Sequence, residues 1–131
     1  MKFYLASRYD GKLALREIRD KLIAMGHGPC SSWLDEREPL DIQVDDVGPE
    51  LLQWYALQDV AEILDCDTFV HFQNKNRPNI RGGALVEFGI ALANEKKLIV
   101  VGDRTHIFDF MPVVTHFATT GEFLAWAEKE R

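Results

Sequence analysis

Short, mainly apolar runs alternate along this chain with segments of helical periodicity, and this alternation limits its possible folds more than any other feature. The clearest runs lie at residues 3–6, 68–72 and 97–102. They lack the regular in–out alternation of a half-exposed strand, so they are typical of parallel strands that helices cover on both faces. The order of strands and helices predicts a three-layer α/β/α fold with a five-stranded, mainly parallel sheet.

Turn residues and apolar spacing place the individual elements. Gly26 is positioned to end the first helix and Pro49 to begin the second, while Leu85, Phe88 and Leu92 form the expected packing stripe of a third. The predicted strands are 3–6, 29–34, 68–72, 97–102 and 113–117, and the predicted helices are 12–25, 49–64, 83–95 and 120–129.

Charge and length exclude several classes of protein. The chain has 131 residues and a net charge of -6, and residues 34–50 hold seven acids and one base. The chain lacks the basic stripe that nucleic-acid binding requires, and no apolar run is long enough to cross a bilayer. We expect one soluble, cytoplasmic domain over residues 1–131, without a signal peptide. The acidic segment at 35–50 is expected to form a solvated loop or lid.

Cysteine and histidine usage gives no sign of a metal or cofactor. Cys30 and Cys66 are too few for a disulfide framework, and their expected role is that of small buried hydrophobes. None of the four histidines has metal-ligand spacing. His71 lies in an apolar run, which predicts an interior histidine with its hydrogen bonds satisfied.

The most informative segment surrounds Glu87. No other charged residue lies between Gly82 and Asn94. On a helix, Gly83 and Ala91 lie beside Glu87 at i−4 and i+4, and such small neighbours leave room for a ligand. A carboxylate near a helix N-terminus stays ionised and can act as a nucleophile or a base. The pattern alone leaves open a partly exposed helix acid with ordinary pairing.

The segment 82–91, with the sequence GGALVEFGIA, resembles the signature of the nucleoside 2-deoxyribosyltransferase superfamily. Three further segments resemble that superfamily in the same order. They are the first strand with Tyr4, the helix-to-strand segment 58–67 with Asp59 and Asp67, and the strand 97–102.

This resemblance implies a flavodoxin-like fold and cleavage or transfer of the N-glycosidic bond of a 2′-deoxynucleoside or its 5′-monophosphate. Glu87 would attack C1′ and form a covalent deoxyribosyl intermediate, which a base or water then resolves. Tyr4 would orient Glu87, and Asp59 would contact the nucleoside. For Tyr4 the residues alone equally allow a core aromatic, and Asp67 is expected to be structural.

The substrate-binding residues are predicted from the loops after the strands. Arg81, with the backbone amides of Gly82 and Gly83, is predicted to bind a phosphate, and Ser7 and Arg8 after the first strand are expected to converge on it. Solvated loop cations are the alternative. In many transferases of the superfamily an aspartate stands six residues before the glutamate, where this chain has Arg81, and the C-terminal asparagine that completes their pocket has no counterpart here.

Two aromatic segments have a proposed role and an alternative. Trp33 is predicted to stack on a base, or else to belong to the core. The apolar segment 107–112 is expected to be a subunit contact or a packed loop. The superfamily is usually dimeric or larger, so a homo-oligomer, such as a homodimer, is expected. A non-catalytic nucleotide-binding module of the same fold is the alternative function.

Overall fold

A computed structural model describes residues 1–8, 11–29, 31–36, 48–77 and 82–131. Arg81, Cys30 and most of the acidic segment lie outside the described residues. The strands are β1 (Lys2–Ala6), β2 (Gly28–Pro29), β3 (Thr68–Gln73), β4 (Lys97–Gly102) and β5 (Val114–Phe117). The helices are α1 (Lys12–Ala24), α2 (Trp33–Glu36), α3 (Pro49–Asp65), α4 (Gly83–Ala93) and α5 (Thr120–Lys129), with a 3₁₀ helix at Ile107–Phe110.

The strands form one parallel sheet in the order β2-β1-β3-β4-β5. The prediction of a three-layer α/β fold with a parallel sheet is confirmed. Four of these strands have four to six residues, and β2 has only two. The described sheet therefore has four strands of four residues or more and a two-residue strand at its β2 edge, so the prediction of a fifth full strand at 29–34 is wrong.

The predicted strand at 29–34 is replaced by a short strand and a helical turn. β2 pairs with β1 only through Gly28 and Pro29, and the chain then turns into α2, which begins at Trp33. Beyond this short ladder, the side chains of Ser31 and Trp33 bond to the backbone of Leu5 in place of a partner strand. The backbone N–H and carbonyl groups of Leu5 at the edge of β1 are therefore hydrogen-bonded without a neighbouring strand.

Side chains on the two faces of the sheet pack against different helices. On one face Phe3 and Phe72 contact Phe123 of α5. On the other face Tyr4 stacks on Phe69, which in turn meets Phe88 of α4. Helix α3 packs against α4, and α1 against α5. The expected packing stripe of α4 holds at Phe88, but Leu85 is 42% exposed.

Two glycines have the backbone conformation that their positions require. Gly26 follows α1 at φ 95°, as predicted for a residue that ends a helix. Gly102 ends β4 at φ 99°, and a Cβ there would lie 2.2 Å from the carbonyl oxygen of Gln73. The close approach of the β3 and β4 ends therefore depends on a residue without a side chain.

His71 is buried behind α4, as expected, but its Nδ1 atom has no hydrogen-bond partner among the described residues. Its ring packs against Phe69 and Phe88. Burial lowers the pKa of His71 from 6.5 to about 4, while the nearby Asp109 acts in the opposite direction and His106 lowers it slightly further. The imidazole is neutral at neutral pH.

This depressed pKa makes the stability of the protein fall in mild acid. The unfolded chain binds a proton at His71 below pH 6.5, whereas the folded protein binds it only near pH 4. Stability is therefore lost as the pH falls through that window, by about 2 kcal/mol between pH 7 and pH 5. Chemical denaturation at both pH values should show this loss in the wild type. It should be smaller in His71→Leu, and an equal loss in both proteins would contradict the assignment.

Among the described residues, no helix is both long and apolar enough to span a membrane.

Candidate active site

Tyr4 and Glu87, 83 positions apart in sequence, are brought into direct contact. The Tyr4 hydroxyl donates a hydrogen bond to Oε2 of Glu87. Tyr4 is fully buried on β1, and Glu87, in the second turn of α4, is partly exposed. The bond occupies one carboxylate oxygen, and the partial exposure of Glu87 leaves the group accessible to a ligand.

The start of α4 gives Glu87 the open surroundings that its sequence predicts. Gly82 precedes the helix in the left-handed conformation at φ 78°, which favours glycine. A Cβ placed on Gly83 would meet nothing within 4 Å, and the same holds for Gly89. Gly83, one turn before Glu87, therefore leaves open space beside the carboxylate, whereas Gly89, two residues after it, lies on another side of the helix.

The electrostatic environment keeps the Tyr4 phenol protonated. Burial raises the pKa of Tyr4 well above its usual range, and the charges of Glu87 and Asp59, the hydrogen bond to Glu87 and the charge of Glu62 raise it further. A protonated phenol is a hydrogen-bond donor, and Glu87 accepts its hydrogen bond.

Asp59 lies within electrostatic range of this pair. It is half-buried on α3, the helix that packs against α4, and its charge acts on the Tyr4 phenol. The structure thus groups Tyr4, Glu87 and Asp59, the three residues predicted to be catalytic. Glu62, one turn after Asp59, joins the same group and was not predicted from the sequence. Asp67 is structural, as expected, because its carboxylate accepts from the backbone N–H of Lys2 and from the Thr68 hydroxyl.

Ser7 and Arg8 line a separate cavity of about 330 Å³ at the carboxyl ends of β1 and β3. Leu15, Phe72 and Val101 also line it, which places it on the α1 side of the sheet, opposite Glu87. Asn74 and Arg77, in the segment that follows β3, complete its polar wall. Sequence reasoning missed Asn74 and Arg77, although their loop lies at the strand ends where parallel sheets bind ligands.

The base-stacking role predicted for Trp33 is not supported by its position. Its side chain is 5% exposed, and its indole N–H donates to the carbonyl oxygen of Leu5 at 2.9 Å. The ring belongs to the core beside β1, which was the alternative, and offers no free face to a ligand. Gly82 and Gly83 begin α4 as expected, whereas Arg81 lies outside the described residues.

In the described part of the chain, no group of three or more His, Cys, Asp or Glu side chains is arranged to hold a metal ion.

Among solved structures, the CMP N-glycosidase BcmB of Clostridium botulinum has a similar fold. The match has a TM-score of 0.61 at 16% sequence identity, and it covers 96% of this chain and 97% of that chain. At this identity the match shows a shared fold. No protein-family profile matches the sequence, and no curated protein matches it.

Proposed function

We propose that this protein cleaves or transfers the N-glycosidic bond of a nucleoside 5′-monophosphate, with Glu87 as the nucleophile. The observation that carries the proposal is the hydrogen bond from the buried Tyr4 hydroxyl to a partly exposed glutamate at the start of α4. The fold shared with an N-glycosidase that acts on CMP supports the same bond type. A 2′-deoxyribosyl substrate is the specific form that we favour from the sequence resemblance.

In the proposed first step, the Glu87 oxygen that does not bond to Tyr4 attacks C1′ of the sugar. A C1′–O bond forms as the C1′–N bond breaks, and the base leaves with the bonding electrons. The transition state has oxocarbenium character, so a fixed carboxylate stabilises the developing positive charge. In the second step, water or another base attacks C1′ and releases Glu87 as a carboxylate. The proton that this attacking group loses balances the proton that the departed base takes up.

Tyr4 and Asp59 are proposed to assist without forming covalent bonds. Tyr4 holds the carboxylate in one orientation, which is useful because an in-line attack tolerates little rotation of the nucleophile. We assign to the half-buried Asp59 carboxylate, whose charge acts on the Tyr4 phenol, the role of accepting hydrogen bonds from the sugar hydroxyls. Neither role requires a metal or a cofactor.

A phosphate on the substrate fits the cavity of Ser7, Arg8, Asn74 and Arg77. This cavity lies at the carboxyl end of the same strand that carries Tyr4. A nucleotide separates its phosphate from its glycosidic bond by a sugar ring and one exocyclic carbon, so the proposal requires the substrate to cross the carboxyl end of β1 from the α1 side of the sheet to the Glu87 side. The two arginines give the cavity positive charge, and α1 begins beside it at Gly11.

The function is tested by incubating the protein with deoxyribo- and ribonucleosides and with their 5′-monophosphates. Chromatography should detect free base from at least one monophosphate. Adding acceptor bases separates transfer from hydrolysis, because only transfer yields a new nucleoside. Thermal stabilisation by nucleotides without any base release would instead favour the non-catalytic binding module.

The cavity residues are expected to select for the phosphate. Arg8→Ala should raise KM for the monophosphate by about tenfold or more, because a charged hydrogen bond contributes about 1.5–3 kcal/mol. Its effect on the corresponding free nucleoside should be small. Arg104→Ala removes an exposed arginine that contacts Phe110, outside this cavity, and serves as the matched control. Equal losses on nucleoside and monophosphate would show that Arg8 does not bind the phosphate.

We further propose that a second copy of the chain covers the apolar surface of the 3₁₀ helix. Ile107, Phe108, Phe110 and Val113 are each at least half exposed, which is unusual for four neighbouring apolar side chains. This surface includes the segment expected from the sequence to be a subunit contact. Sedimentation velocity of the full chain should therefore detect a dimer or a larger homo-oligomer, and a monomer at high concentration would contradict the proposal.

A further inference from the structure

The outer edge of β1 is held by side chains rather than by a full neighbouring strand. The backbone N–H of Leu5 donates to the Ser31 hydroxyl at 2.7 Å, and the Leu5 carbonyl oxygen accepts from the Trp33 indole at 2.9 Å. Leu5 is 2% exposed, so both backbone groups would otherwise be buried without partners. The position of Tyr4, the preceding residue, therefore depends on the segment 31–34.

Glu62 of α3 anchors this same segment through Ser32. Its Oε2 atom accepts the backbone N–H of Ser32 at 2.9 Å, and its Oε1 atom accepts the Ser32 hydroxyl. Because one carboxylate accepts both hydrogen bonds from one residue, the distance and the orientation of Ser32 relative to Glu62 are both fixed. Glu62 thus connects α3 to the edge of β1.

The anchor lies close to the proposed catalytic group. Asp59 and Glu62 are three residues apart on α3, so they share one side of the helix. The charges of both act on the Tyr4 phenol, which is bonded to Glu87. A shift of the segment 31–34 relative to α3 would therefore alter the spacing among Tyr4, Asp59 and Glu87.

We propose that Glu62 is a positioning residue for the glycosyl transfer: through Ser32 it fixes the edge of β1 and thereby the placement of Tyr4 against Glu87. The inference rests on the proposed function, because it assigns Glu62 a role in that reaction. Glu62 itself touches no reacting atom in this account. It acts by way of Ser32, Ser31 and the Leu5 backbone.

Two substitutions of Glu62 separate positioning from charge. Glu62→Ala removes both hydrogen bonds and should lower kcat by about tenfold or more with little change in KM, because small displacements of catalytic groups are costly. Glu62→Gln keeps an oxygen for the Ser32 N–H and supplies an N–H to its hydroxyl, so it should restore most of kcat. Ser32→Ala, which removes only the hydroxyl bond, should give a smaller loss. Glu128→Ala makes the same charge change on an exposed part of α5 and should leave kcat unchanged.

Amide hydrogen exchange gives a second readout that needs no turnover. Exchange at the Leu5 N–H should accelerate in Glu62→Ala but not in Glu62→Gln, while the Ile99 amide in the middle of β4 should be unaffected. Full kcat in Glu62→Ala, or unchanged exchange at Leu5, would overturn the positioning role. A loss in Glu62→Gln as large as in Glu62→Ala would also overturn it, in favour of charge alone. If the wild type releases no base from any substrate, the proposed function fails, and this role fails with it; the exchange data then report only whether the physical link exists.

Discussion

Glu87→Ala is expected to abolish base release, with kcat lowered by at least about 10³-fold. The variant removes the only group that is proposed to form a bond with C1′, and water cannot replace it because a bound water lacks the charge and the fixed position of the carboxylate. Glu87 is partly exposed at the start of α4, so the fold should persist in this variant, with the free energy of unfolding lowered by about 1–3 kcal/mol because the buried Tyr4 hydroxyl loses its acceptor.

The control for this variant is Glu87→Gln, which keeps an oxygen that can accept the Tyr4 hydrogen bond and matches the shape of glutamate. It should be as inactive as Glu87→Ala, since an amide is a poor nucleophile. Base release should be followed by chromatography with the best substrate. Activity within a few-fold of wild type in either variant would show that the carboxylate is not the nucleophile.

Tyr4→Phe is expected to lower kcat by about 10²-fold while KM changes little. The phenylalanine ring preserves the stacking on Phe69 and removes only the hydroxyl that bonds to Glu87. A hydrogen bond to a charged group contributes about 1.5–3 kcal/mol, and about 2.7 kcal/mol corresponds to 10²-fold in rate. Because the pKa of Tyr4 is raised well above its usual range, the wild type should show no loss of rate from Tyr4 ionisation at mildly basic pH.

Tyr55→Phe provides the matched comparison, because Tyr55 lies on α3 beside Trp54 and forms no part of the proposed site. Its kcat should equal that of the wild type. If Tyr4→Phe were as active as Tyr55→Phe, the contact with Glu87 would be a packing feature without a role in the reaction. Initial rates at saturating and limiting substrate separate the two kinetic constants.

The order of the elements could be predicted from the sequence because each one carries a local signal. The end of α1 just before Gly26 and the bounds of α5 follow from residue types within one or two turns. The contact between Tyr4 and Glu87 has no such local signal, since the two residues are far apart in the chain. Only the resemblance to a known superfamily placed Tyr4 close to Glu87.

The short length of β2 could not be predicted, because side chains, rather than the backbone of a longer β2, bond to the edge of β1. Apolar residues between Pro29 and Leu34 indicate a strand, but the Ser31 hydroxyl and the Trp33 indole satisfy the edge of β1 instead. Trp33 is consequently buried and unable to stack on a substrate. Glu62 was also missed, because its partner is the backbone N–H of Ser32, which is distant in sequence. The sequence of an amphipathic helix does not indicate which backbone group lies next to one of its acids.

The cavity at the strand ends was only half predicted. Ser7 and Arg8 follow directly from the rule that ligands bind beyond the carboxyl ends of parallel strands. The same rule nominated the loop after β3 without distinguishing Asn74 and Arg77 from their neighbours. The fold places the cavity on the α1 side of the sheet, and a sequence pattern does not specify which side a loop residue faces.

Glu87 is proposed to form a covalent bond to the sugar, and trapping that bond tests this role without relying on rates. A 2′-fluoro nucleotide analogue of the best substrate slows the breakdown of a glycosyl ester, because the fluorine destabilises the oxocarbenium-like transition state. Peptide mass spectrometry after incubation should show the mass of the fluorosugar phosphate on the peptide that contains Glu87, and none in Glu87→Gln. Base release from the analogue with no adduct, or an adduct on another residue, would contradict the account.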